Sequence, residues 1–80
     1  MRIYNLDSDK KVNKVIIYLT PDEAQEMRDS LELLINNKEK HHHEHIPDSD
    51  FKREITVCIY TECNISSFDE RSRRLILRDE

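Results

Sequence analysis

The sequence predicts a small α+β fold, a single two-layer domain over residues 1–80 with the element order ββαββα. Two observations support this prediction. A capped amphipathic helix begins about a quarter of the way along the chain, and short runs rich in β-branched residues lie on both sides of it. We expect a mostly antiparallel sheet with both helices on one face.

The composition lies between those of folded and disordered chains. Charged residues make up 38% and apolar residues 36% of the sequence, and the net charge is only -4. Leu, Ile, Val and Phe supply 21 of the 80 residues, which is enough to favour a folded chain. The sequence has no glycine. Phosphate-cradling loops of the Walker and Rossmann types are therefore excluded, because they need glycine backbone.

The first two strands are predicted to form a hairpin. The opening RIYNL is a candidate first strand, and the DSDK that follows supplies turn-forming side chains. KVIIYL, residues 14–19, is apolar on both faces, which is typical of a strand with neighbours on both sides. We therefore predict that residues 14–19 form a central strand.

The first helix is predicted to begin at Pro21. Thr20 can cap it, proline suits the first helical position, and Glu23 can reach back to the cap. The apolar residues follow the spacing of one buried stripe: Ala24, Met27, Leu31, Leu34 and Ile35. Asn36 or Asn37 should end the helix, since asparagine tolerates the left-handed conformation.

A second hairpin is predicted to turn after Pro47, through the residues IPDSDF. Residues 41–46 form its first strand and residues 54–61 its second, in which apolar and polar residues alternate. Ile46 can join the apolar face only if His41, His43 and His45 project from the other face. A slip of one residue would bury the three imidazoles instead.

The three alternate histidines, His41, His43 and His45, are candidate ligands for a divalent ion such as zinc or nickel. In the predicted register His45 lies near Glu54, His43 near Thr56 and His41 near Cys58. Glu54 or Cys58 could then complete a tetrahedral set of ligands. The alternative is an exposed polar strand that binds no metal.

A third interpretation continues the first helix through the histidines, which would place His41 and His45 on one face. The apolar stripe lapses at Lys38 and His42, which argues against this extension. The sequence thus favours the strand.

The tail is predicted to form a second helix. Ser67 stands three residues before Glu70, which indicates a capping box, and Phe68, Leu75 and Ile76 lie near one helical face. The rival interpretation is that residues 73–78 form a strand, because a short apolar run can adopt either structure.

The sequence contains no evident catalytic set. Cys58 is a candidate nucleophile if His41 acts as its base, but neither a helix N-terminus nor a glycine elbow follows it to supply an oxyanion hole. A small residue packed in the sheet is the better explanation of this cysteine. We expect no enzyme, and no cofactor other than the zinc or nickel considered above.

The remaining patterns suggest a protein partner. The tail is rich in arginine, but an isoelectric point near 5.5 disfavours nucleic acid. The sequence has no apolar run that could cross a bilayer and no apolar segment of a signal peptide, so we expect a cytoplasmic protein without a membrane partner. The bias towards Ile, Lys and Asn favours a bacterial or phage origin. The leading hypothesis is an accessory or regulatory protein that binds a protein partner or self-associates; the alternative is the metal-binding module.

Overall fold

A computed structural model describes residues 1–37 and 43–80 and confirms a small α+β fold. The elements within these ranges are β1 (Ile3–Asn5), β2 (Lys10–Val12), α1 (Pro21–Asn36), β3 (His43–Pro47), β4 (Glu54–Cys58), a short 3-10 turn (Ile65–Ser67) and α2 (Glu70–Arg78). The order ββαββα is roughly matched. The strands of the described residues form two separate two-stranded antiparallel sheets, so the antiparallel pairing is confirmed and the expectation of one continuous sheet is wrong.

The chain divides into two compact units. Residues 1–17 and 62–80 form the first, called here the terminal unit, and residues 18–61 form the second, called the hairpin–helix unit. The single domain over residues 1–80 stays a prediction.

In the terminal unit, β1 and β2 pair in an antiparallel hairpin, with Ile3 opposite Val12 and Asn5 opposite Lys10. The turn between them is stabilised by a side chain, because Asn5 Oδ1 accepts the backbone N–H of Asp7 at 2.9 Å. β2 has only three residues and ends at Val12. It therefore lies before residues 14–19, where the second strand was predicted. Residues 14–19 form no strand.

The prediction of a central strand at residues 14–19 is wrong for a physical reason. An apolar run on both faces indicates a strand in the interior of a sheet, with both of its faces covered by other elements. None of the strands among the described residues pairs with this segment. The apolar pattern of residues 14–19 therefore indicates a segment that needs packing partners. The described strands do not pair with it.

In the hairpin–helix unit, α1 begins at Pro21, as predicted. Thr20 Oγ1 accepts the N–H of Glu23 at 3.2 Å, and Glu23 Oε1 accepts the N–H of Thr20 at 2.9 Å, which confirms the capping box. The helix ends at Asn36. Asn37 follows it with φ -129°, so the predicted left-handed ending is wrong; its backbone N–H and its side-chain amide both donate to the carbonyl of Leu33.

The core of this unit lies between α1 and β3. Leu34 is fully buried and Ile46 is 5% exposed. Of the other residues in the predicted stripe, Met27 is half-buried, while Ala24, Leu31 and Ile35 are exposed. The buried stripe is thus narrower than predicted, because a two-stranded sheet covers less of the helix than a full sheet would.

β3 and β4 pair in an antiparallel hairpin with Ile46 opposite Ile55. Asp48 holds the turn: its N–H donates to the carbonyl of Arg53 at 2.9 Å, and its Oδ1 accepts the N–H of Lys52 at 2.9 Å and that of Arg53 at 3.3 Å. The backbone hydrogen bonds from Arg53 and then from Lys52 are the main causes that lower the pKa of the Asp48 carboxyl. β4 ends at Cys58, earlier than predicted.

The tail residues 70–78 are helical, so the rival strand for residues 73–78 is wrong. The N-terminal cap is Asp69 and not Ser67. Ser67 lies in the 3-10 turn and donates its hydroxyl to the carbonyl of Asn64 at 2.6 Å. Leu75 is the buried residue of α2.

Candidate functional site

A run of exposed apolar residues lies where the two units meet in the sequence, at residues 14–19, called here the apolar segment. Its side chains are exposed as follows: Val15 53%, Ile16 75%, Ile17 47%, Tyr18 88% and Leu19 37%. Isolated exposed apolar residues are common on protein surfaces. A run of five in succession is uncommon and is typical of a contact site.

The backbone of the apolar segment is also unpaired within the described residues. Neither the N–H nor the C=O groups of residues 14–19 have a hydrogen-bond partner there. The β-branched residues Val15, Ile16 and Ile17 favour extended backbone, and the segment contains no proline to block a ladder. The segment thus offers both the side chains and the backbone groups of an edge strand.

A second set of exposed apolar residues lies on α1. Leu31, Leu33 and Ile35 are each more than 40% exposed. Among the residues the structure describes, the buried large apolar side chains are Leu34, Ile46 and Leu75, of which only Leu34 is fully buried. The chain therefore exposes more large apolar side chains than it buries.

The second candidate site is the outer face of the β3–β4 hairpin, called here the histidine face. His43 and His45 are exposed on it, opposite Cys58 and Thr56, while Ile46 is buried on the other face. The predicted orientation of His43 and His45 is thus confirmed. The register differs from the prediction, since His43 faces Cys58 and not Thr56. His41 lies outside the described residues.

The two imidazoles of the histidine face are close together. Their ring centroids are 5.3 Å apart and their planes are nearly perpendicular. His45 Nδ1 lies 3.3 Å from Glu54 Oε1 and 2.9 Å from Thr56 Oγ1, so the predicted proximity of His45 to Glu54 is confirmed. Within residues 1–37 and 43–80, no group of three His, Cys, Asp or Glu side chains is arranged to hold a metal ion.

Cys58 stands on the histidine face, but its thiol is not activated. More than a third of the residue is exposed, so it is not the packed core residue that the sequence suggested. Burial of its sulfur raises the pKa of the thiol, which keeps it protonated near neutral pH. A raised pKa disfavours the thiolate, which is the nucleophilic form of cysteine.

The terminal unit contains a polar cluster that no sequence pattern indicated. Arg71 Nε donates to Asp9 Oδ1 at 3.0 Å, and its guanidinium lies 4.7 Å from the centre of the Tyr4 ring. The Tyr4 hydroxyl donates to the same carboxylate oxygen. The hydrogen bond from Tyr4, followed by that from Arg71, lowers the pKa of Asp9. Because Asp9 and Arg71 are 62 positions apart, local pattern could not pair them.

Several arginines of the basic tail are engaged within the chain. Arg71 binds Asp9, and Arg73 donates to the carbonyl of Phe68. Arg2 of the N-terminus likewise donates to the carbonyl of Leu75 at 3.0 Å. These guanidinium groups hold α2 in the terminal unit, so they are less available to a phosphate backbone.

Comparison with known proteins gives no match among family models, curated proteins or solved structures. In the part of the chain that the structure describes, none of the helices has the length and apolar character required to span a membrane. A function must therefore be argued from the two surfaces described above.

Proposed function

We propose that this chain is a small accessory or regulatory protein that acts by protein–protein contact, and that the apolar segment is its contact site. The observation that carries the proposal is the run of exposed apolar side chains from Val15 to Leu19. Their removal from water favours association with a partner that covers them.

The unpaired backbone of the apolar segment suggests how a partner binds. A strand laid beside residues 14–19 would accept and donate the main-chain hydrogen bonds that the described residues do not supply. Alternate side chains would then contact the partner on both faces of the new ladder. Cys58 and Cys63 are not joined in a disulfide, which supports a reducing, intracellular setting for this contact.

Site-specific photo-crosslinking in the cells that express the protein tests the proposal. A photoreactive phenylalanine analogue replaces Tyr18, which is 88% exposed, and in a matched variant it replaces Phe51, an aromatic residue that is 82% exposed in the β3–β4 turn. We expect the Tyr18 variant to form a discrete covalent adduct with a protein. The Phe51 variant should form only a background of weak adducts.

Equal labelling at the two positions would contradict the proposal, because exposure alone would then explain the adducts. Absence of any adduct at Tyr18 would also contradict it. Either another protein or a second copy of the chain in the adduct supports it.

The histidine face supports a second candidate function, the binding of zinc or nickel. The observation in its favour is the pair of imidazoles 5.3 Å apart with the Glu54 carboxylate 3.3 Å from His45. Alternate histidines on one strand can bind one ion through two nitrogens. The described residues do not supply a full set of ligands, so this candidate ranks second.

Thermal unfolding with and without zinc or nickel at neutral pH tests this candidate. An ion that binds only the folded chain stabilises it by about 2.7 kcal/mol when its concentration is 100 times Kd. We expect replacement of His41, His43 and His45 by asparagine to abolish the shift in Tm, and His42→Asn to preserve it. A shift that survives the triple replacement, or no shift in the native chain, would eliminate the metal site.

A further inference from the structure

We infer that the partner of the apolar segment is a second copy of the chain, paired with it in an antiparallel ladder centred on Ile17. This inference rests on the proposed function and specifies its partner. It follows from the self-complementarity of the segment in side chains, backbone and charge.

Two-fold symmetry restricts the register of such a pair. A symmetric antiparallel ladder has a two-fold axis perpendicular to the sheet, so one residue lies opposite its own copy. With Ile17 on the axis, Ile16 lies opposite Tyr18 and Val15 lies opposite Leu19. Every exposed apolar residue of the segment then faces another apolar residue of the second copy.

The neighbouring symmetric register is less favourable. With Ile16 on the axis, Lys14 lies opposite Tyr18 and Asn13 lies opposite Leu19, so a polar residue faces an apolar one at each end. The register centred on Ile17 places Lys14 opposite Thr20 instead. Hydrophobic matching therefore selects the register centred on Ile17.

The charges that flank the segment favour the antiparallel direction. Basic residues lie before it or at its first position, namely Lys10, Lys11 and Lys14, and acidic residues follow it, namely Asp22, Glu23 and Glu26. An antiparallel pair brings the end of one segment that carries Lys14 beside the end of the other that leads into Asp22 and Glu23. A parallel pair would place like charges together, which is destabilising.

The backbone completes the self-complementarity. The segment contains neither proline nor glycine, so each residue can both donate and accept in the ladder. The backbone N–H and C=O groups of the segment are unpaired within the described residues of each copy, so each copy can supply hydrogen-bond partners to the other. The interface is short, so we expect an equilibrium between monomer and dimer that depends on protein concentration.

Disulfide crosslinking tests the register. In a background with Cys58→Ser and Cys63→Ser, the variant Ile17→Cys is compared with Val15→Cys. Residues opposite each other in an antiparallel ladder have Cα atoms about 4.5–5.5 Å apart, within disulfide range. The two copies of residue 15 would be about 14 Å apart, because four residues at 3.4 Å each separate them along the ladder.

We expect Ile17→Cys to form a covalent dimer under mild oxidation and Val15→Cys to form little. Sedimentation should show that Ile17→Asp raises the Kd of the dimer at least about tenfold, since two carboxylates would meet on the axis. The matched variant Leu6→Asp adds the same charge at an exposed apolar residue of the β1–β2 turn and should leave Kd unchanged.

Equal crosslinking of the two cysteine variants would overturn the inferred register. A native chain that stays monomeric at all concentrations would overturn the inference that the partner is a second copy of the chain. If such a monomer still forms an adduct with another protein at Tyr18, the inference fails and the proposed function stands. If it forms none, both fail.

Discussion

The two compact units of the chain are stabilised by different kinds of contact. In the hairpin–helix unit, α1 packs against β3, and Leu34 of α1 and Ile46 of β3 are both buried. In the terminal unit, Leu75 is the buried apolar residue among those described, and a charged pair between Arg71 and Asp9 connects α2 to the first hairpin. One unit depends mainly on apolar burial and the other largely on polar contacts.

This difference has consequences for stability. Apolar burial is insensitive to salt, whereas exposed ion pairs contribute little and are screened. The other contacts of the terminal unit are also polar and partly exposed: Arg2 Nε donates to the carbonyl of Leu75, and Lys11 Nζ donates to that of Asp79 at 2.9 Å. We therefore expect the terminal unit to be the less stable of the two, and the predictions below test this comparison.

The largest expected effect is that of Leu34→Ala in the hairpin–helix unit. Removal of a fully buried leucine leaves a cavity and should lower the free energy of unfolding by about 2–5 kcal/mol, as measured by urea denaturation. The control is Leu33→Ala, one position away on the exposed side of α1, which should have a much smaller effect. Similar losses for the two variants would show that α1 has no single buried face.

The second-largest expected effect is the loss of the N-terminal cap of α1. Thr20→Ala removes the acceptor of the Glu23 N–H and should lower the free energy of unfolding by about 1 kcal/mol. Thr20→Ser keeps a hydroxyl at the same position and should restore most of the loss. If serine and alanine are equally destabilising, the cap does not stabilise the unit.

A smaller effect is expected for Arg71→Gln in the terminal unit. The variant removes the ion pair with Asp9 and the cation above Tyr4, and should lower Tm less than Leu34→Ala does. The difference between Arg71→Gln and the native chain should shrink in 1 M salt, while that caused by Leu34→Ala should persist. Arg28→Gln, at an exposed pair with the adjacent Asp29, should change Tm little. A salt-independent loss at Arg71 would show that packing dominates there.

The features predicted correctly from the sequence are those set by neighbouring residues. Thr20, Pro21 and Glu23 lie within one turn, so their spacing alone fixes the start of α1. The alternation of apolar residues likewise fixes which face of the second hairpin is buried, and it places His45 on the outer face near Glu54. Local chemistry was sufficient for these parts of the fold and for the orientation of the histidine face.

The features that were missed depend on residues distant in the chain or on a partner. Asp9 and Arg71 meet only after the fold brings the two ends of the sequence together, so neither turn nor helix pattern could pair them. The segment 14–19 has the composition of a central strand but pairs with none of the described strands. Its pattern is explained if the neighbouring strand comes from another molecule, as we propose.

The smallest expected effect is acid destabilisation of the turn at Asp48. Its pKa is lowered in the folded chain by backbone hydrogen bonds from Arg53 and Lys52, relative to about 3.9 when unfolded. A depressed pKa contributes stability that is fully present above the unfolded value and is lost as pH falls through the folded value. Tm should therefore begin to fall near pH 4 and fall further below it.

Asp48→Asn separates the charge from the hydrogen bonds, because the amide oxygen still accepts from the backbone while the carboxylate is removed. Its Tm should fall less steeply between pH 5 and pH 2 than that of the native chain. Asp50→Asn, which removes a carboxylate from the same turn, is the control and should keep the steep fall.

Asp9 also has a lowered pKa, so the terminal unit should contribute its own acid-dependent loss in the same pH range. If the Tm of Asp48→Asn falls with pH as steeply as that of the native chain, the loss of stability at low pH arises in the terminal unit. The terminal unit would then be the one whose stability depends on charged groups, and the hairpin–helix unit the one that depends on apolar burial.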